Sequence, residues 1–494
     1  MFPNYLHPRP KNLLRLSCGV SFFLLAAAEN ILPSVDVAII GGGFSGLVAA
    51  KDLVAANKSV VVLEARDRVG GRVFDTQFPD GTATYLGAQF VGPGQTRMVA
   101  LSKEMGVDFF TPHTEGNIVL YINGTRSQIS NESNATGSAA IDNASLAEIA
   151  LVEKTLDSFA RELDPAAPWD HPRANEWDSQ TFSNWLDSNV ISPYVKFAYN
   201  LLVGAGVCEE IKGISFFSTL ISIGTNRAKD DPNPSGLLSG AEGGPEAFIC
   251  KGGCQNVAIR IAKLLGPTRV QLNSPVRLIE KTKNSYKIQT DNGIVTAQKV
   301  VIAMPPAMAA RIRYLPPLPA GRDQLSQRTP MGSVAKIIAQ YKSPFWRASG
   351  LSGRAFSNMG LSTVVWDISP EDGSSGVLLG FVSGDRARSI DGKSQAEIES
   401  LATKDFVSYF GAEAANVKAW KIQQWDQEEY TRGGFDSNYG PGTLTSLGKY
   451  LAAPYEGIHF AGVETAQFWR GYMDGAISAG ERVAAEVLDS LSYI

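Results

Sequence analysis

The stretch that decides the fold is VDVAIIGGGFSG, which runs from Val35 to Gly46. Val35–Ile40 is a short and mostly apolar run, as expected of a buried parallel strand. Gly41, Gly43 and Gly46 follow with the spacing GxGxxG, and the residues after them are good helix formers with helical spacing. This order of strand, turn and helix is typical of a dinucleotide-binding βαβ unit, in which the helix N-terminus faces a pyrophosphate.

The residues of the turn have separate mechanical roles in such a unit. Gly41 makes the tight turn, and Gly43 lets the backbone come close to a phosphate. Gly46 allows the helix to pack closely on the strand. Phe44 and Ser45 lie in the same loop and are further candidates for contact with the cofactor.

A second strand after the helix ends next to an acidic residue. Ser59–Leu63 (SVVVL) is apolar, and Glu64 stands where an acid binds the ribose hydroxyls of a dinucleotide. NAD sites and FAD sites share these features, so the residues that follow have to distinguish between the two cofactors.

The stretch EARDRVGGR, which begins at Glu64, favours FAD. It resembles the second glycine motif of the flavin-containing amine oxidase family. The resemblance implies that Ala65, Arg66, Gly71 and Arg72 continue the cradle for the FAD pyrophosphate. An arginine suits that place because its guanidinium can hold a phosphate with two hydrogen bonds.

A segment further along resembles the part of that family which runs past the flavin. Tyr85–Pro93 is YLGAQFVGP, whereas the usual family form is DLGGSYVGP. The resemblance implies that Gly87, Ala88 and Gln89 line the cofactor site. Tyr85 replaces the acid and Ala88-Gln89 replace Gly-Ser, so we expect FAD binding to be kept and the local shape of the pocket to differ.

The C-terminal part carries the most specific resemblance. Residues 460–466 (FAGVETA) and 469–476 (WRGYMDGA) match the family form FAGTETA…W.GYM.GA. The resemblance implies that Glu464 and Met473 contact FAD. Val276 matches the residue whose backbone holds the adenine in relatives.

The resemblance also supplies four candidates for the catalytic site. Lys336 ends the motif GSVAK, and in relatives this lysine holds a water near the flavin and is thought to assist oxygen reduction. Tyr472 is expected to form one wall of an aromatic cage that guides the amine. Phe435 is expected to form the other wall, where a tyrosine is more usual, and Trp425 matches a tryptophan beside the flavin.

The flavin is predicted to be bound without a covalent link. In monoamine oxidases a cysteine in this region carries the flavin, but residues 430–442 contain no cysteine. Depending on where a gap is placed, Gly434 or Phe435 takes the position of that cysteine.

The motifs come from three separate regions, which predicts an interleaved α/β architecture. The fold expected is a Rossmann-like FAD-binding domain of the glutathione reductase type, combined with an α+β substrate-binding domain as in monoamine oxidases. The FAD-binding domain is predicted to comprise residues 33–110, 241–310 and 425–494, and the substrate-binding domain residues 111–240 and 311–424. Residues 145–163 and 182–197 are expected to be helical.

The function expected is oxidation of an amine, with a hydride passing from the carbon next to nitrogen to the flavin and oxygen leaving as hydrogen peroxide.

One alternative is an oxidative cyclase of the cyclopiazonate type, acting on a secondary-metabolite amine or indole. Another is an L-amino acid oxidase, for which Arg470 or Arg432 could bind the carboxylate. Alternatives of a different class are a flavin-binding protein without turnover and an NAD-dependent dehydrogenase. Lys336, Trp425 and Tyr472 argue against the first of these, and the two FAD motifs against the second.

Composition excludes several other classes of function. The 494 residues carry a net charge of −4, so no basic face for a nucleic acid is expected. Four histidines and four cysteines form no zinc-like cluster, so no metal site is predicted. Cys250 and Cys254 are close enough in sequence to pair, but they could equally be buried free thiols, as could Cys208.

The N-terminus predicts the secretory pathway. Residues 1–28 combine a basic start with an apolar run that ends in small residues, as in a signal peptide. No further anchor is expected in the mature chain, which lacks the C-terminal membrane helix of mitochondrial relatives. Candidate glycosylation sequons stand at Asn57, Asn123, Asn131, Asn134 and Asn143.

Overall fold

The structure is a computed structural model, and it describes residues 34–130, 142–227 and 244–492. These residues form twenty strands. In chain order they are β1 Val35–Ile40, β2 Val60–Leu63, β3 Asp75–Gln77, β4 Ala83–Tyr85, β5 Phe90–Val91, β6 Phe109–Phe110, β7 Asn117–Ile122, β8 Thr125–Ile129, β9 Phe248–Cys250, β10 Val270–Gln271, β11 Val276–Lys281, β12 Tyr286–Thr290, β13 Gly293–Ile302, β14 Arg313–Leu315, β15 Val334–Tyr341, β16 Leu351–Ser357, β17 Val364–Asp367, β18 Gly376–Ser383, β19 Ala419–Gln424 and β20 Ile458–Phe460.

The same residues form fifteen α-helices. They are α1 Phe44–Ala55, α2 Thr96–Glu104, α3 Asn143–Arg161, α4 Ala174–Trp177, α5 Phe182–Asn189, α6 Pro193–Val207, α7 Phe216–Thr225, α8 Gln255–Leu265, α9 Pro306–Ala309, α10 Ala320–Gln327, α11 Phe345–Ala348, α12 Asp385–Arg388, α13 Gln395–Phe410, α14 Thr443–Leu447 and α15 Met473–Ser492. The segment 182–197 that the sequence predicted as helical is divided between α5 and α6. Pro193 occupies the first turn of α6, where a missing N–H costs nothing, and the Ser192 side chain caps that turn.

The first sheet contains the strand–turn–helix unit found in the sequence. Its strand order is β10-β2-β1-β13-β12-β11-β14, and β20 pairs with the second half of β13. β1 runs parallel to both β2 and β13. Strands in such a position are covered on both faces, which explains why Val37–Ile40 is fully apolar and at most 2% exposed. β14 pairs with β11 although it lies beyond residue 310, where the sequence placed a domain boundary.

Close contacts at glycines fix the helices on this sheet. A Cβ added to Gly46 in α1 would lie 2.0 Å from the carbonyl oxygen of Gly41. A Cβ added to Gly480 in α15 would lie 2.5 Å from the carbonyl oxygen of Ser45, so α15 packs directly on α1. The N-terminal turn is thereby held between a strand and the last helix of the chain.

The second sheet is a separate, largely antiparallel layer with the order β19-β15-β18-β17-β16-β7-β8. Four adjacent strands, β15, β18, β17 and β16, align Lys336, Phe381, Val364 and Phe356 in one row. Residues opposite one another in antiparallel strands point to the same face.

The group of helices α3 to α7 shares one hydrophobic core and packs through α6 against β18 of the second sheet. Its core is aromatic, with Phe182 and Phe216 fully buried and their rings 6.3 Å apart. Trp185 stacks on Phe216 at 4.8 Å. These rings hold α6 and α7 in place, and both helices contribute side chains to the cavity described below.

Cys250 and Cys254 form a disulfide with an S–S distance of 2.07 Å, which decides between the two possibilities that the sequence left open. Cys208 is a buried free thiol. Asn57, Asn123 and Asn143 are exposed. The other two sequons and the predicted signal peptide lie outside the described residues. Among the described residues, no helix has the length and apolar character needed to cross a membrane.

The contact at Gly46 predicts a specific loss of stability. Gly46→Ala forces a methyl group against backbone that cannot move aside, so we expect the free energy of unfolding to fall by about 3 kcal/mol. Denaturant unfolding of the flavin-free protein measures this. Gly206→Ala is the matched control, because its Cβ meets nothing within 4 Å in helix α6. Equal stability of the two variants would contradict this account of the packing.

Candidate cofactor and substrate site

A cavity of about 780 Å³ lies between the carboxyl ends of the parallel strands in the first sheet and one face of the second sheet. This volume is at the upper end of the range for small-molecule and cofactor sites. Ile40 and Ala303 mark the ends of β1 and β13 on its wall, and Lys336 and Phe356 mark the second sheet. The cavity therefore joins the two layers.

The glycine turn forms one end of the cavity and fits a pyrophosphate. Gly43 caps helix α1 without a side-chain hydrogen bond, so the backbone N–H groups of the first turn are available. A Cβ added to Gly43 would meet nothing within 4 Å, which shows that its α-carbon faces open space. Gly41 has a φ of +110°, a conformation that L side chains rarely adopt.

Glu64 is held rigidly at the edge of the same region. One carboxylate oxygen accepts from the backbone N–H of Gly42 at 2.6 Å, and the other accepts from that of Arg66 at 2.9 Å. The side chain is buried but lines the cavity. Each carboxylate oxygen has a second lone pair, which could accept a bond from a ribose hydroxyl.

Arg72 is fixed by a bidentate ion pair with Glu464. Its two terminal nitrogens lie 2.8 and 3.3 Å from the two oxygens of the Glu464 carboxylate, and one also donates to the carbonyl of Phe435 at 2.6 Å. Arg72 lines the cavity, whereas Glu464 is fully buried behind it. The structure thus places Glu464 where it orients Arg72, rather than on the cavity wall as the sequence suggested.

Lys336 of β15 also lines the cavity. Its ammonium donates to the carbonyls of Gly87 at 2.6 Å and Tyr85 at 3.0 Å, and to Oε1 of Gln89 at 2.8 Å. An ammonium has three protons, and these three acceptors can use all of them. Burial lowers the pKa of Lys336 to about 7, an effect that the negative charge of Asp75 partly offsets.

Asp75 is a second charged group near this lysine that the sequence did not identify. It lies directly opposite Tyr85 in the β3–β4 pair, and Tyr85 is the position where the family form has its acid. Its carboxylate accepts from the backbone N–H of Gln255 at 2.7 Å. Burial raises the pKa of Asp75 to about 7, although that bond and Lys336 act in the opposite direction. The carboxylate that the family form has at residue 85 is thus supplied in this chain by Asp75 on the neighbouring strand β3.

Aromatic side chains form a further part of the cavity wall. Phe435 is 37% exposed, and its ring packs edge-on against Phe381 with the centroids 5.9 Å apart. The ring of Tyr472 packs against Trp469 at 5.3 Å. Trp425 is buried and donates from its indole nitrogen to the carbonyl of Leu86 at 2.9 Å. Phe435, Tyr472, Phe381 and Trp425 all line the cavity, which fits an aromatic cage.

Charged side chains that the sequence did not place here also reach the cavity wall. Glu246, Arg354, Asp436 and Arg470 all line it. Burial raises the pKa of Asp436 to about 6. Of the two arginines suggested for a substrate carboxylate, Arg470 is on the wall and Arg432 is not.

The structure brings most of the predicted site residues to this one cavity. Gly46 and Glu464 are the exceptions, since both act from behind the wall. The predicted residues that line it are Gly41, Gly43, Phe44, Ser45, Glu64, Ala65, Arg66, Gly71, Arg72, Gly87, Ala88, Gln89, Val276, Lys336, Trp425, Phe435, Tyr472 and Met473. Across the three described ranges, no cluster of three or more His, Cys, Asp or Glu side chains is arranged to hold a metal ion.

The described cavity wall contains no cysteine that could carry a flavin covalently. Cys208 lies nearby, but its thiol donates to the carbonyl of Ala205 at 3.5 Å, and burial raises its pKa well above the usual value. A thiol held in this protonated state is a poor nucleophile. The site therefore fits FAD bound without a covalent link.

Comparisons with known proteins agree with this geometry. A family model described as flavin containing amine oxidoreductase matches residues 44–488. The chain is 35% identical over 460 residues to a probable flavin-containing monoamine oxidase A of Dictyostelium discoideum, covering 92% of this chain and 98% of the relative. It is 32% identical to an L-amino acid dehydrogenase of Synechocystis, covering 93% and 96%. Putrescine oxidase bound to putrescine superimposes with a TM-score of 0.86 at 30% identity, covering 93% of this chain and 100% of that one.

The open space at Gly43 predicts a variant that affects the cofactor alone. Gly43→Ala places a methyl group where the pyrophosphate would approach, so we expect FAD affinity to fall about tenfold to a hundredfold, or roughly 1.4–2.7 kcal/mol. The melting temperature of the flavin-free protein should not change. Flavin fluorescence titration and thermal unfolding measure the two quantities. Gly46→Ala should instead lower the melting temperature and leave the FAD affinity unchanged. Unchanged FAD affinity in Gly43→Ala would contradict the assignment of this turn to the pyrophosphate.

Proposed function

This chain belongs to the family of flavin-containing amine oxidoreductases, and we propose that it performs FAD-dependent amine oxidation in the cavity between its two sheets. The observation that carries the proposal is the convergence of three parts on one cavity. These are the glycine turn at Gly43, the buried ammonium of Lys336, and the aromatic walls at Phe435 and Tyr472.

We assign residues 33–110, 241–310 and 425–494 to FAD binding, and residues 111–240 and 311–424 to substrate binding. The composition of the sheets supports this division. The first sheet draws strands from the first group of ranges, apart from β14, and the second sheet draws its strands from residues 117–129 and 334–424. The cavity lies where the two groups meet, which is a usual place for an active site.

The roles proposed for individual residues follow from their positions. Bound FAD supplies the chemistry, accepting a hydride from the carbon next to the amine nitrogen and passing electrons to oxygen, which leaves as hydrogen peroxide. Phe435 and Tyr472 orient the amine between their faces and keep water away from it. Trp425 supports the segment after β4 through its bond to Leu86. Lys336 holds a proton and a positive charge close to that segment.

Oxidation of an L-amino acid is the second candidate. It is favoured by Arg470, which lines the cavity two residues before Tyr472 and could bind an α-carboxylate. The similarity to a protein named L-amino acid dehydrogenase points in the same direction. L-Amino acids tested beside simple amines decide between the two candidates.

We also propose that the protein enters the secretory pathway through a signal peptide at residues 1–28. The disulfide between Cys250 and Cys254 supports this, because such bonds persist in oxidising compartments. Asn57, Asn123 and Asn143 are exposed and could carry glycans.

The secretory proposal predicts a modified and shortened protein. Material from a eukaryotic secreting host should begin near residue 29 and lose mass when N-glycans are removed enzymatically. Intact mass spectrometry measures both. Recovery of an unglycosylated chain that still begins at Met1 would contradict the proposal.

The buried ammonium predicts a selective defect in the oxygen reaction. Lys336→Met should slow flavin reoxidation on the order of a hundredfold, because it removes a preorganised charge, while substrate reduction changes little. Separate stopped-flow measurements of the two half-reactions test this. Lys342→Met is the matched control, since Lys342 follows the same strand but is exposed.

The proposed role of Lys336 also predicts that the rate of flavin reoxidation depends on pH. The pKa of Lys336 is lowered to about 7, so its ammonium is present below that pH and is lost as the pH rises through it. The reoxidation rate of the native enzyme should therefore fall above pH 7, and that of Lys336→Met should be flat. A variant that slows reduction and leaves reoxidation intact would contradict the proposed role.

A further inference from the structure

Asp436 is a carboxylate on the cavity wall beside both residues proposed for the aromatic cage. It directly follows Phe435, and like that residue it lines the cavity. A Cβ added to Gly471 would lie 3.5 Å from Oδ2 of Asp436, and Gly471 directly precedes Tyr472. The carboxylate therefore lies against the backbone next to one cage residue and is adjacent in sequence to the other.

Aromatic contacts connect this part of the wall with Lys336. The ammonium of Lys336 lies 5.3 Å from the centroid of the Phe381 ring, and that ring packs against Phe435 at 5.9 Å. Because Asp436 follows Phe435, its carboxylate belongs to the part of the cavity that contains both Lys336 and the cage. The proposed function places the reacting amine there.

The carboxylate of Asp436 is not committed to another side chain. The positive charges that act on it belong to Arg72 and Arg470. Arg72 is already engaged by the carboxylate of Glu464, and Arg470 donates to the carbonyl of Ala466 at 3.4 Å. Within the three described ranges, neither arginine forms an ion pair with Asp436. The carboxylate can therefore accept a hydrogen bond from a substrate.

An amine has to lose a proton before it can give up a hydride. A primary alkylamine is an ammonium in neutral water, because its pKa is close to the value of about 10.4 for a lysine side chain. The proton occupies the nitrogen lone pair that is needed to form the C=N bond. A carboxylate within hydrogen-bond reach of the nitrogen can take that proton.

The surroundings of Asp436 suit this task. Burial, and then the negative charge of Glu464, raise the pKa of Asp436 to about 6, while the positive charges of Arg72 and Arg470 act in the opposite direction. Asp436 is therefore ionised at neutral pH, and it is a stronger base than a carboxylate in water. Three further titratable groups on which it acts stay neutral near pH 6, because their pKa values are raised: Cys208, Tyr439 and Tyr472.

We propose that Asp436 accepts a proton from the ammonium group of the substrate inside the cavity, so that the amine is neutral when its hydride leaves. The inference rests on the proposed amine oxidation and adds a catalytic residue to it. In this step an N–H bond of the ammonium breaks and an O–H bond forms on the carboxylate. The products are a neutral amine and a carboxylic acid, and no electrons are transferred.

The proposal predicts how flavin reduction by hexylamine depends on pH. In the native enzyme the second-order rate constant of reduction should fall below about pH 6, where Asp436 is protonated, and stay level above it up to the pKa of the amine. In Asp436→Asn only the neutral fraction of hexylamine can react. The rate constant should then rise about tenfold per pH unit, and at about pH 8 it should be about a hundredfold below the native value.

Anaerobic stopped-flow mixing of the FAD-loaded enzyme with hexylamine measures this rate constant, and mixing the reduced enzyme with air measures reoxidation. Asp436→Glu keeps the carboxylate and should keep part of the level region. Asp489→Asn is the matched control, because Asp489 is exposed on α15 and does not line the cavity. It should follow the native profile, and the reoxidation rate should be unchanged in all three variants.

A level profile that survives in Asp436→Asn would overturn the proposal, and so would a variant that is slowed equally at every pH. If Asp436→Asn does not take up FAD, the native profile decides, since a steady rise between about pH 6 and 9 would show that no carboxylate takes the proton. If another primary amine bleaches the flavin and hexylamine does not, that amine replaces it in the same test. If none of a wide panel of amines bleaches the native flavin, amine oxidation itself fails.

Discussion

The hydrogen bonds of one buried ammonium connect the second sheet to the segment that runs from the end of β4 into the cavity wall. Lys336 belongs to the second sheet, and its three acceptors lie in the segment from Tyr85, the last residue of β4, to Gln89. Burying an ammonium is costly unless it is hydrogen-bonded, so these three bonds favour close contact between β15 and that segment. Lys336, Gly87 and Gln89 all line the cavity, so this contact forms part of its wall.

The turn at Gly41–Gly46 imposes the second constraint, which is steric rather than electrostatic. Gly46 lets helix α1 approach the strand, and α15 then packs on α1 through Gly480. Because α15 begins at Met473, this packing also positions Tyr472 on the cavity wall. One close backbone contact near the N-terminus therefore determines where a residue near the C-terminus can lie.

The sequence was sufficient for the parts of the site that depend on local motifs. The turn at Gly43, the segment from Glu64 to Arg72 and the GYM motif at Tyr472 all have fixed spacing, and residues of all three line the cavity. Asp75, Glu246 and Arg354 were missed because their places depend on how strands pair. Asp75 lies opposite Tyr85 in the β3–β4 hairpin, Glu246 precedes β9, which pairs with β5, and Arg354 lies on β16 beside β17. The sequence of one strand does not show which residues of other strands lie opposite it. The pairing of Asp75 with Tyr85, and the place of Arg354 on β16, three strands from Lys336, therefore needed the structure. The sequence showed that Tyr85 stands where the family form has an acid. Only the pairing of β3 with β4 showed that the carboxylate of Asp75 lies opposite that position.

The most direct test of the central claim is to bleach the flavin of the purified enzyme with amines in the absence of oxygen, and then to readmit air. The panel should include monoamines, diamines and amino acids. The structure predicts rapid bleaching by at least one class, and recovery of the absorbance with one hydrogen peroxide formed per flavin. A protein that takes up no FAD, or a bound flavin that no amine of the panel reduces, would contradict the account.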